Sequence, residues 1–289
     1  MTEHDSPFDL LAAGDQDDHR WAFGTGFTDP LAGVDTAVPA GTDAAALARY
    51  CLMLGDDALI LSHRLQQWIT NLPELEEETA VANIALDLLG QARMLLARAA
   101  AADPSTGQDE DRLAFFRGER EFRNVRLVER ADADFAELVA RLLIFSSWRL
   151  AVFERLRDAA DPVLAAIAAK GVPELAYHRD YAARWVIRLG DGTELSHERM
   201  RRALEAVWPF TDELFAGHAV ELVDPGSVRG EVDAVLSAVF ELAGVDRPDL
   251  PPLGAVSGLT GRDGVHTEAL GYVLAELQSV ARAYPDATW

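Results

Sequence analysis

The chain has 289 residues, 49% of them apolar, enough to bury a sizeable core in one large or two modest domains. Forty-eight acidic residues against 26 basic ones leave a net charge of −22. A surface this acidic repels phosphate backbones and anionic lipid, so nucleic acid and membrane are poor partners. The opening stretch is acidic where a signal or transit peptide would be basic, and no run of 18 uninterrupted apolar residues follows. Cys51 is the single cysteine, which fits a reducing compartment, and a cytoplasmic location is the expectation.

Residues 1–42 read as an acidic N-terminal extension. Eight acidic residues lie between Glu3 and Asp35, with glycines and prolines among them, the composition of a disordered tail. The segment Trp21 to Phe27 is aromatic enough to dock on a surface. Residues 43–289 read as one helical domain. Thr42 and Asp43 supply N-cap chemistry for a helix running to about Thr70. Pro73 opens a second, to about Ala102, with four glutamates from Glu74 to Glu78 facing the positive end of its dipole. Asp103 to Gly107 breaks the pattern, and a short helical piece spans 111–123. A third long helix is expected over 134–157. A fourth opens at Asp161-Pro162, wobbles at Gly171 to Pro173 and ends before Gly190. Further helices are expected over 196–216, 228–243 and 266–283, with a Pro/Gly-rich loop from Asp246 to Gly264. No stretch sustains period-two alternation. The fold class is all-α, a four-helix bundle with additional C-terminal helices.

The second helix reads as apolar on almost every side between Thr79 and Ala97, which predicts complete burial. Asn83, Asp87 and Gln91 interrupt it at i, i+4, i+8 and share one face. The fourth helix repeats the arrangement with Lys170, Glu174 and His178, and the first offers Asp56 and Asp57. Inward polar groups on facing helices are how carboxylate-bridged di-metal sites are built, and such a site needs Glu-x-x-His on two helices. The second helix has Gly90 or Gln91 where a histidine belongs. The fourth has Leu175 three residues before His178, and the third has Ser146 and Ser147 with no carboxylate between Glu137 and Glu154. The site reads as emptied. Asp57, Asn83, Asp87, Gln91, Lys170, Glu174 and His178 are then a vestigial metal site or buried polar core, with no catalytic, cofactor or metal residue assigned. A buried Asp87 or Glu174 needs a partner, and Lys170, Arg93 or Arg141 is the expected one. The spacing Glu194-x-x-His197, like Asp263-x-x-His266, is better read as helix capping.

Five ordered stretches resemble one family: Leu54 to Leu61, Ala85 to Arg93, Arg120 to Glu129, Glu174 to His178 and Val265 to Glu268. They are similar to the C component of the phenylacetyl-CoA epoxidases, a likeness covering roughly residues 45–289. The resemblance implies a ferritin-like fold and a non-catalytic structural subunit with no cofactor of its own. It implies partnership with a di-iron oxygenase, the A component, in A2C2 units. A small B component and a reductase holding flavin and an iron–sulfur cluster complete the implied assembly. The rival reading is a self-sufficient di-metal oxidase on the same bundle. A third is a share in CoA binding through the arginines of 117–130 and 199–202.

Overall fold

In the computed structural model the described residues are 31–287, and their regular elements are helical. The α-helices are α1 (Ala44–Gln66), α2 (Leu75–Ala102), α3 (Glu110–Phe115), α4 (Phe135–Leu156), α5 (Pro162–Gly190), α6 (Glu194–Val207), α7 (Arg229–Ala243) and α8 (Glu268–Ala283). Side-chain caps start the main ones. Asp43 accepts from the Ala46 amide at 3.1 Å, Asp134 from Glu137 at 3.1 Å and Asp161 from Leu164 at 2.8 Å. α2 has no side-chain cap, and Glu76, Glu77 and Glu78 in its first turn answer the dipole instead.

α1 and α2 pack as one hairpin, α4 and α5 as the other. The crossover at 103–134, holding α3 and three 3-10 turns, joins them. Contacts between α2 and α5 run in reverse numerical order: Glu77 meets Tyr181 and Trp185, Asp87 meets His178, and Gln91 meets Glu174. The two helices are therefore antiparallel, and the four form a bundle of two hairpins joined by one long connection. α6 and α7 pack over α4 and α5, while α8 closes on α1 and α3. At the junction of α5 and α7, a Cβ on Gly190 would lie 2.4 Å from the Ala243 carbonyl oxygen, so only glycine permits that approach.

Some boundaries differ from the sequence expectation. α5 runs through Pro173 without a break. The helix expected over 196–216 stops at Val207, because Trp208-Pro209 turns the chain into two successive 3-10 turns. Of the piece 111–123, α3 itself ends at Phe115, and after Gly118 only a 3-10 turn follows. The aromatic segment Trp21 to Phe27 lies outside the described residues. Residues 31–42 of the extension lie against the bundle rather than apart from it. Leu31, Val34 and Val38 pack on the core, and Arg98 donates to the Thr36 carbonyl at 2.7 Å.

Candidate functional site

Polar side chains from all four bundle helices meet in the interior. At their centre is Arg149, in the middle of α4, a helix with 18 of its 22 residues buried. Its guanidinium is fully buried, with Nε donating to Gln91 Oε1 on α2 at 3.0 Å, Cζ 4.4 Å from the centre of the Phe153 ring, and both terminal nitrogens without a hydrogen-bond partner. Gln91 Nε2 in turn donates to Glu174 Oε2 on α5 at 2.9 Å, and Lys170 pairs with the other oxygen of that carboxylate one turn earlier. Gly171 makes room for this arrangement. A Cβ there would stand 2.8 Å from the Phe153 ring that flanks Arg149. Burial pushes the proton affinity of Arg149 down, to about 10, with Asp57 opposing the shift, so it stays a cation at neutral pH.

Asp57 on α1 faces the same interior. Arg262, from the turn before α8, grips both its oxygens at 3.0 and 2.8 Å, and the Val125 amide adds a third bond at 2.8 Å. Burial raises the Asp57 pKa, and Arg262 and then Arg149 pull it back. Its neighbour Asp56 takes Arg117 and the Arg123 amide. Two adjacent carboxylates on α1 thus fasten the crossover and the C-terminal segment to the bundle.

The seven residues singled out from sequence fall into two chains of contacts and two separate positions. Gln91, Glu174 and Lys170 form one chain of contacts with Arg149. Asp87 and His178 form another, bonded at 3.0 Å in the seam between α2 and α5. Asp57 is held by Arg262, and Asn83 sits half-buried one turn before Asp87, outside both chains. The register on α2 is settled: Gln91 points inward, while a Cβ on Gly90 would meet nothing within 4 Å. Two expected partners are corrected. Arg93 is exposed and 3.9 Å from Glu110, and Arg141 is buried against Asp132 with the Val128 and Arg130 carbonyls. Lys170 does pair with Glu174, and the group that sequence reasoning missed is Arg149. Its signal is a lone charge inside the apolar run from Leu142 to Phe153.

The capping reading also divides. Thr193 caps α6 and His197 Nδ1 donates to the Gly190 carbonyl at 2.7 Å, while Asp263 closes its own 3-10 turn onto the Thr260 amide. His266 does not cap. It is buried between Glu129, 2.6 Å from Nδ1, and the Phe122 carbonyl, 3.0 Å from Nε2. The expectation of an all-round buried α2 is corrected as well, since Leu86 and Leu89 face outward.

A di-metal pair needs several carboxylate and imidazole donors turned to one point. Among the described residues no three His, Cys, Asp or Glu side chains converge that way. The donor set itself is unsuited: the four helices supply an amide, a guanidinium and two carboxylates already taken by Arg262 and Lys170. The Arg149 guanidinium stands among these groups.

Two antiparallel helix pairs joined by a long crossover, with polar side chains from all four turned inward, define a ferritin-like helical bundle. The chain belongs to the Phenylacetic acid catabolic protein family, whose model matches residues 33–289. It is also similar to the C subunit of the 1,2-phenylacetyl-CoA epoxidase of Escherichia coli (strain K12), with 42% identity over 252 residues. That alignment covers 84% of this chain and 99% of the relative.

Proposed function

We propose that this chain is a non-catalytic structural subunit of a phenylacetyl-CoA epoxidase, needing no cofactor of its own and stabilising the di-iron oxygenase subunit. The observation that supports this most is Arg149. A guanidinium bonded to Gln91 and stacked on Phe153 gives the bundle interior its own positive charge. The carboxylates around it then have counter-ions without metal, which is the requirement for holding such charges in a core.

Several arginines of the two arginine-rich stretches are held by carboxylates of this chain, which supports the same division of labour. Arg117, Arg126 and Arg130 are engaged with Asp56, Glu213 and Glu137, and Arg201 with Glu198 and Glu205. Co-expression tests the proposal: the oxygenase subunit should be soluble and active with this chain and lose both without it. An oxygenase subunit fully active alone overturns the support role, and two irons per purified chain with oxygen consumption would overturn the non-catalytic one.

A further inference from the structure

We infer that the Arg149 guanidinium holds a small monovalent anion of the halide class inside the bundle, whether or not the chain supports an oxygenase. Nε is bonded to Gln91, while Nη1 and Nη2 are buried with no hydrogen-bond partner among the described residues. Each of those nitrogens carries two N–H groups, set in a rigid fork that suits an acceptor placed before it. Ser146, one turn earlier on the same face of α4, adds a buried hydroxyl that also has no partner. Buried donors left unbonded are costly to a fold, and charged ones most of all.

The carboxylates nearby are committed to other groups. Asp57 gives both oxygens to Arg262 and accepts the Val125 amide, and Glu174 is shared between Lys170 and Gln91. Neither bonds a terminal nitrogen of Arg149. Glu221 acts on Arg262 and accepts the His218 amide at 2.7 Å. Tyr50 on α1 also lies within electrostatic reach, but burial pushes its phenol up and it brings no charge. The rings of Phe145 and Phe153, centred 5.7 and 4.4 Å from Cζ, offset part of the charge. A ring face is a weak acceptor and does not replace the bonds that the terminal N–H groups lack.

Charge and size then select the occupant. Asp57 with Arg262 and Glu174 with Lys170 balance in pairs, which leaves the Arg149 charge over. A water supplies acceptor capacity alone, whereas an anion supplies the acceptor and the charge. Two carboxylates close by would repel a divalent anion more strongly than a monovalent one. Arg149 and Ser146 are fully buried, which favours an ion of single-atom size over phosphate or a carboxylic acid. The overall charge of −22 repels anions from the surface, so an anion retained by this chain reports a local site.

Crystals of the full chain grown in bromide test this directly. Anomalous scattering should place bromide against Nη1 or Nη2 of Arg149. A water at that position, bromide confined to the surface, or a carboxylate turned in to meet the guanidinium overturns the inference. In solution, replacing gluconate by chloride at constant ionic strength should raise the melting temperature by several degrees and then level off. A bound ion saturates in this way and a general salt effect does not. Arg149→Met should abolish the dependence, and Arg201→Met, on the exposed face of α6, should keep it. Equal wild-type stability in the two salts overturns the site, as does a chloride dependence that Arg149→Met retains. If Arg149→Met does not fold, the bromide position in the wild-type crystal decides.

Discussion

Helices α4 and α2 are both rich in leucine and alanine, and the bundle uses them in opposite ways. α4 is enclosed by α5, α6 and α7, and it turns Arg141 and Arg149 inward. α2 is enclosed on one side and turns Leu86 and Leu89 outward. Charges inside one helix and leucines outside the other invert the usual rule of burial. Each inversion needs a compensating partner. For α4 the partners are within the chain and incomplete: Arg141 has Asp132 and backbone carbonyls, while Arg149 has Gln91 at Nε and two terminal nitrogens buried without a hydrogen-bond partner. For α2 the outward leucines meet no partner among the described residues of this chain.

The inversion on α4 is broken or confirmed by Arg149→Ala. Removing a buried cation while leaving Gln91, Asp57 and Glu174 in place should cost about 3–5 kcal/mol, read from urea unfolding of the isolated chain. A loss below about 1 kcal/mol would mean the interior charges do not depend on it. Arg149→Met, which keeps volume and removes charge, separates packing from electrostatics. If it restores most of the loss, the cation is a space-filling feature and the charge argument fails.

The contrast between the helices is sharpened by matched truncations. Leu143→Ala in α4 should cost about 2–5 kcal/mol, since the site is sealed, whereas Leu86→Ala in α2 should stay within about 0.5 kcal/mol in the isolated chain. Equal losses would show that α2 has no free face.

The smallest effect concerns Asp132, the counter-ion of Arg141. Burial pushes its carboxyl up to about 6, outweighing the nearby Arg141 charge. The folded value lies above the unfolded one, so ionised Asp132 weighs against the fold. That penalty is complete above pH 6 and fades as the pH falls toward the unfolded value. A carbon-13 titration of its carboxyl should show a midpoint near 6 that Asp132→Asn removes. A midpoint below 4 would mean the Arg141 pair dominates desolvation.

Much of this is legible in the sequence. The caps at Asp43, Asp134 and Asp161 and the breaker at Asp103 place the four long helices, because local hydrogen-bond chemistry decides where helices start. The i, i+4 spacing finds Gln91 and Glu174, because helical periodicity fixes which side chains share a face. Periodicity does not tell the two polar positions on α2 apart in depth: Gln91 lies in the core and Asp87 at the seam. Arg149 escapes a pattern built on metal-ligand chemistry, which asks α4 for a carboxylate and not for a cation. The partners of Asp57 and Glu129 are beyond reach for another reason. They come from Arg262 and His266, more than 130 residues away in the chain, and no local pattern encodes such a pairing.

The Asp57–Arg262 pair also has a meaning in time. The two residues are 205 positions apart, and a ribosome adding about 5–20 residues per second delivers Arg262 roughly 10–40 s after Asp57. Toward the end of that interval α1, α2, α4 and α5 are complete, yet Asp57 has no counter-ion from the C-terminal third. The nascent bundle therefore waits, with Asp57 lacking the guanidinium that grips both its oxygens, until the last segment of the chain arrives to close it.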